Sequence, residues 1–193
     1  MEIRTYPSRN NFFNVAISEI CDEVFKFRRP SETIMVVCIA PWSVRDVVSA
    51  SWLKYWNKTR VLIVSDTRFF PLAKYYQLGN EELIDICHTS EILSVMDDFL
   101  WSGKLCGEKN MESITHLTDI EYFSLKSALD GISVDNQALT MGLSRKTVFG
   151  YRASSARKLN VRKLSHLLSP KILNLSKSVV KFDREGRVTD SAF

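Results

Sequence analysis

Two runs of this sequence, Thr33–Ala40 (TIMVVCIA) and Arg60–Asp66 (RVLIVSD), are almost wholly apolar and rich in β-branched residues. A strand with one wet face alternates polar and apolar residues, whereas these runs do not alternate, so each predicts a strand buried on both sides. A sheet buried on both sides needs helices above and below it. The intervening segments supply them. From Asn10 to Arg28 the residues Phe13, Ile17, Ile20, Cys21, Val24 and Phe27 recur at helical spacing until Pro30 ends the pattern. Ser43–Trp56 and Arg68–Gly79 read as two further helices, the second ending near Gly79. Glu82–His88 (ELIDICH) predicts a third short strand, and Ser90–Lys104 a helix with Thr89 or Ser90 as N-cap and Gly103 beyond its end. The expected fold of this half is α/β, a small parallel sheet with helices on both faces.

Beyond the polar, irregular stretch Gly107–His116 the pattern becomes wholly helical. In LTDIEYF, Thr118 can cap a helix, Glu121 three residues on can close a capping box, and Leu117 and Tyr122 sit where a hydrophobic staple would join. That helix should end at Asp130-Gly131. Ser133 opens a second and Gly142 ends it, Ser144 opens a third, and a fourth runs from Val161 to Leu168. The expected division is an α/β domain at 1–104, a linker at 105–116, an all-α four-helix domain at 117–169 and a polar tail at 170–193 with a possible hairpin at Val179–Val188.

Charge is unevenly placed. Residues 117–193 hold 13 Lys+Arg against 7 Asp+Glu, a balance of +6, while the first 116 hold 13 against 15, a balance of −2, which together give the net +4. A positive field confined to the rear half points to a polyanionic partner there. The longest apolar run, Ile34–Ala40, is too short to cross a bilayer, and MEIRTYPSRNN carries no secretory pattern, so a cytoplasmic chain is expected. Cys21, Cys38, Cys87 and Cys106 are widely spaced and His88, His116 and His166 lie near no second ligand, so free thiols, no metal and no cofactor are expected. A Gly-rich phosphate loop, a nucleophile elbow and a His–carboxylate pairing at useful spacing are all lacking, which argues against an enzyme.

A helix-turn-helix needs a small residue where two helices cross, a residue tolerant of positive φ in the turn, and apolar positions that glue the second helix to the first. Ala138, Gly142 and the set Met141, Leu143 and Val148 meet these needs. With Leu117, Thr118, Glu121, Gly131, Ser133, Ser144, Thr147, Lys158, Leu159 and Val161 they make Leu117–Val161 resemble the LuxR-type DNA-binding domain of bacterial transcription regulators. The chain departs from that pattern at Gln137 and Ser155, where the family has Ile, at Tyr151, where His is common, and at Ile120, where Arg is common. The seam between its helices is correspondingly more polar.

At 100° per residue Val148, Tyr151, Ser155 and Leu159 share an inward face of the third helix, while Arg145, Lys146, Phe149, Gly150, Ala153, Ala156 and Arg157 face outward. The resemblance implies that the third helix enters the major groove of double-stranded DNA with Phe149, Gly150 and Ala153 at the base edges. Lys146, Arg145 and Arg157 would hold phosphates, joined by Lys158, and Ser144 and Thr147 would donate near the helix N-terminus. Arg152, at the margin, would read a base or hold a phosphate. Gly150 costs about 1 kcal/mol of helix stability relative to Ala, which suits close approach to a groove.

The resemblance also implies that the fourth helix is a dimer contact and that the front domain is related to a phosphoacceptor receiver, whose last two strands and helices it is similar to. Phosphoryl transfer is not expected: TIMVVCIAPWS ends without an acid, Asp22-Glu23 fall inside the first helix, His88-Thr89 stand where a Lys is needed, and Asp66 has no acidic companion. A degenerate receiver serving dimerisation or docking is the expectation, with most of Trp42, Trp52, Tyr55, Trp56, Tyr75 and Tyr76 in the core and one aromatic of WLKYW left as an anchor. The partners implied are double-stranded DNA and a homo-dimer, or a hetero-dimer with another LuxR-type protein, with no membrane. The alternative is an accessory regulator that acts mainly through hetero-dimerisation and binds DNA weakly alone.

Overall fold

The structure, a computed structural model, describes residues 3–25, 33–49, 52–53, 59–102 and 115–168. Four strands, β1 (Ile3–Tyr6), β2 (Ile34–Ile39), β3 (Arg60–Ser65) and β4 (Ile84–His88), pair in parallel in the order β1-β2-β3-β4. Every residue of β2 is buried, as its unbroken apolar run requires. Helices α1 (Asn11–Phe25), α2 (Val44–Val48), α3 (Phe70–Gln77) and α4 (Ile92–Ser102) cover both faces, which makes this half an α/β fold with a parallel sheet between two helical layers. Strand β1 was not anticipated. It is a four-residue edge strand with only β2 beside it, so it is partly exposed and carries no continuous apolar run to announce it.

On one face, Ile17 and Cys21 of α1 and Met96, Phe99 and Leu100 of α4 pack on Ile34, Val36, Leu62, Val64 and Cys87. On the other, Val44, Val47 and Val48 of α2 and Leu72 and Ala73 of α3 pack on Met35, Val37, Ile39, Val61, Ile63, Ile84 and Ile86. This second core does not stop at its helices. It continues into Leu117, Leu125, Leu129, Ala156, Leu159, Leu164 and Leu167, so the rear helices share a core with the sheet. The helices that contribute to it are α5 (Asp119–Leu129) and α7 (Arg145–Lys158), while α6 (Val134–Met141) packs on α7.

Aromatic rings seal the junction. Tyr122 of α5 stacks on Tyr75 at 4.3 Å between centroids, and its hydroxyl lies 3.0 Å from that of Tyr76 and donates to the Val48 carbonyl. Trp52 is buried with its indole N–H on the Val47 carbonyl. Burial, with the Asp119 carboxylate beside it, pushes the Tyr75 phenol up to about 12. Trp42 is exposed and Tyr75 half-buried, and Tyr55 and Trp56, the two other aromatics of WLKYW, lie outside the described residues.

Three boundaries differ from those expected. The helical stretch after β4 is capped by His88, whose ring accepts from the Ser90 amide while Glu91 reaches back to the His88 amide, so neither Thr89 nor Ser90 is the cap. His88 lacks the small polar shape of a usual cap, which hides it from a residue-type reading. The helix expected over Ser43–Trp56 is α only at Val44–Val48 among the described residues. The expected fourth helix is a five-residue 3₁₀ turn, Leu164–Leu168, because α7 ends at Leu159-Asn160, where Asn160 takes φ of 48°, and Leu164 and Leu167 then turn into the shared core. The tail, the possible hairpin at Val179–Val188, and residues 105–114 of the expected linker lie outside the described residues. No helix among the described residues is long and apolar enough to cross a membrane.

The two faces of α1 and α4 make a direct stability comparison. Phe99 is fully buried and Phe12 is 91% exposed. Phe99→Ala should lower the unfolding free energy by about 3–5 kcal/mol, read as a drop in denaturant midpoint, whereas Phe12→Ala should stay within about 0.5 kcal/mol.

Candidate nucleic-acid interface

Helix α7 starts where the Ser144 hydroxyl accepts from the Thr147 amide at 3.1 Å, and the two hydroxyls lie 2.8 Å apart. Its sequence, RKTVFGYRASSARK, carries five cations and no acid. Gly142, with φ of 63°, sets the turn before it, and the amides of Gly142 and Leu143 close on Leu139 and Ala138 carbonyls. Val148, Ser155 and Leu159 face inward as the helical spacing requires. Ala156 does not face outward as expected. It is buried, because the chain after Asn160 folds back and brings Leu164 and Leu167 into the same core, a covering segment that helical periodicity cannot foresee.

Polar groups hold α7 in place. The Glu121 carboxylate, nearly buried, accepts from the Thr118 amide at 2.8 Å, the Ser154 hydroxyl at 2.6 Å and the Lys158 ammonium at 2.6 Å. Burial alone would raise the Glu121 pKa, but the Lys158 and Ser154 contacts and the Thr118 amide outweigh it and hold the group at about 2. Ser155 donates to the Glu121 carbonyl at 2.9 Å. Gln137 is buried too: its amide nitrogen donates to the Ser124 hydroxyl at 2.9 Å and its oxygen accepts from Arg152 Nε at 2.8 Å. Arg152 also donates to the Ile132 carbonyl at 2.6 Å, and its burial pulls its pKa below the ordinary value. The polar seam visible in the sequence is therefore a satisfied hydrogen-bond network, which a buried polar group needs.

This network divides the ten residues expected at the interface. Lys146, Phe149, Gly150, Ala153 and Arg157 form the exposed strip of α7, with Phe149 at 56% exposure. Ser144 and Thr147 sit at its N-terminal edge, engaged with each other. Arg145 is exposed but paired with Asp135 at 2.5 Å. Arg152 and Lys158 point back into the protein, onto Gln137 and Ile132 and onto Glu121 and the His116 carbonyl. A Cβ added at Gly150 would meet nothing within 4 Å, so no neighbour inside the molecule requires the missing side chain. Beside the strip lies a groove of about 360 Å³ whose lining includes Val134, Phe149, Ala153 and Ala156 with Arg162 and Lys163. Residue type gives no signal for these last two cations, because only the fold-back after α7 brings them beside Phe149.

At the carboxyl ends of the strands, where receiver chemistry would sit, Asp66 accepts from the Arg68 amide at 2.9 Å and His88 serves as a cap. Burial pushes the nearby Cys38 thiol up to about 12.

Comparison with known proteins places the front half. Residues 1–100 match the family described as the EcpR N-terminal domain, over half of the 193 residues. The chain belongs to that family. No curated protein matches it. Among solved structures, one of two RcsB dimers bound to two parallel DNAs is 13% identical with a TM-score of 0.44, covering 93% of this chain and 99% of that one. A second, on conformational dynamism for DNA interaction in the Salmonella typhimurium RcsB response regulator, is 12% identical with a TM-score of 0.35, covering 93% and 100%. Likeness at these scores leaves the properties of this chain to its own residues, and family membership rests on the front half alone.

Acid titration probes the Glu121 network. The folded pKa of about 2 lies below the ordinary 4.5, so the stability it contributes is complete above about 4.5 and lost as pH falls toward 2. Glu121→Gln should remove that part of the pH dependence, so that its unfolding midpoints change less between pH 5 and 2 than those of the parent, at a lower stability near pH 7.

Proposed function

We propose that this chain is a cytoplasmic DNA-binding transcription regulator. In this reading residues 117–169 are a LuxR-type helix-turn-helix domain in which α6 and α7 are the crossing pair and α7 enters the major groove. Residues 1–104 are a degenerate receiver that mediates dimerisation or docking without phosphorylation, residues 105–116 are the linker and 170–193 the tail. Neither a metal nor a cofactor is part of the mechanism. The observation that carries the reading is the exposed strip of α7. Gly150 lies mid-helix with open space where its side chain would be, next to the small Ala153 and the projecting ring of Phe149, and Arg145, Lys146 and Arg157 border it. A glycine there costs about 1 kcal/mol and returns nothing to the packing of the chain itself, so an external surface that must come close is the physical reason for it. A duplex groove meets that need: cations hold phosphates and position the helix, and Phe149 meets base edges such as a thymine methyl.

A second reading has its own support. With Arg152 and Lys158 held inside and Arg145 paired on the surface, fewer cations are available to grip phosphates than the sequence promises. The chain would then act as an accessory regulator, binding DNA firmly only as a hetero-dimer with another LuxR-type protein. A mobility-shift titration of the chain alone and mixed with such a partner separates the two, since binding confined to the mixture supports the accessory reading.

Substitutions at Gly150 separate stability from recognition. Gly150→Ala should raise the unfolding free energy by up to about 1 kcal/mol, while Gly150→Gln should leave the fold intact and weaken duplex binding. Retained full affinity in Gly150→Gln would count against close approach. Lys146→Ala and Arg157→Ala should each weaken binding to all sequences alike and lower the salt slope by about one.

A further inference from the structure

Asp135 lies in the first turn of α6 and Arg145 at the first position of α7, and the turn between the helices brings them together. Arg145 Nε stands 2.5 Å from Asp135 Oδ1, with side-chain exposures of 70% and 59%. The pair therefore sits in solvent at the N-terminal end of the strip formed by Lys146, Phe149, Gly150, Ala153 and Arg157. We infer that Asp135 limits how strongly this surface grips DNA, by holding Arg145 in an ion pair that a phosphate must displace. The inference rests on the DNA-binding reading and adds to it a residue of opposite sign that tunes the affinity.

An exposed ion pair is weak, because water and salt screen it and two mobile side chains must be ordered to make it. A duplex phosphate can therefore take Arg145 from Asp135, but only after the pair is broken, and the exchange leaves a carboxylate at the rim. Arg145 matters because the supply of outward cations on α7 is short: Arg152 is tied to Gln137 and Ile132, and Lys158 to Glu121. Apart from its pair with Arg145, Asp135 makes no contact with the buried network of Glu121 and Gln137 among the described residues. A role in packing is thus not the reason for its presence, and its neutralisation can be read cleanly.

The test uses the full chain, a short duplex of arbitrary sequence, and salt titrations of binding by fluorescence anisotropy. Asp135→Asn, which keeps a residue suited to a helix N-terminus, should bind roughly two- to tenfold more tightly, with a salt slope steeper by about one. Thermal unfolding should place it within a few degrees of the parent. In an Arg145→Ala background the same substitution should leave the slope unchanged and lose most of the gain, which shows that Asp135 acts through Arg145. Unaltered affinity in Asp135→Asn, or an equal gain with Arg145 removed, overturns the inference while leaving the DNA-binding reading in place. If neither the parent nor Asp135→Asn binds the duplex at low salt, the DNA-binding reading fails and this inference falls with it.

Discussion

The rear half of the molecule is organised around one nearly buried carboxylate. Glu121 closes the N-terminal box of α5 through Thr118 and at the same time receives Ser154 and Lys158 of α7. A charge placed there is tolerable only because several donors converge on it, since an unpaired buried carboxylate would protonate or destabilise the fold. The consequence is geometric. The carboxylate ties the first and third helices together at one end, and Ser155 on the Glu121 carbonyl adds a bond beside it. With that side of α7 committed inward, Lys146, Phe149, Gly150, Ala153 and Arg157 are left exposed.

The second organising feature is the continuity of the core. Leu125, Leu129, Leu159, Leu164 and Leu167 pack in the same cluster as Val47, Leu72 and Ile63, and the tyrosines 75, 76 and 122 close the seam with ring contacts and hydroxyl bonds. Helix α2 meets α5 and the final 3₁₀ turn, and among the described residues the outward strip of α7 stays exposed. Leu164 and Leu167 are part of this core, so the segment Val161–Leu168 exposes Arg162, Lys163, Ser165, His166 and Leu168.

Much of the fold was legible because its signals are local. Unbroken β-branched runs marked β2 and β3, and the capping box at Thr118, the caps at Ser133 and Ser144 and the left-handed Gly142 marked the helix limits to within a residue. Strand β1 escaped because an edge strand needs no apolar run, and His88 escaped because a ring nitrogen can cap without looking like a cap residue. The candidate interface was legible in outline and not in detail. Helical angle alone separated Val148 and Leu159 from Lys146 and Phe149, but it misplaced Ala156, because the segment that covers it comes from elsewhere in the chain.

What the sequence determined by itself was everything set by neighbours a few residues apart: strand and helix identity, caps, the charge imbalance between the halves, and the glycine gap on α7. Tertiary structure decided which cations remain outside. Arg145, Arg152 and Lys158 look alike in the sequence. Distances to Asp135, Gln137 and Glu121, residues 10 to 37 positions away, give one a surface pair and turn the other two inward. The reason is that a long basic side chain has no preferred direction of its own; it takes the direction of the nearest fixed oxygen, and only the folded chain says where those oxygens are.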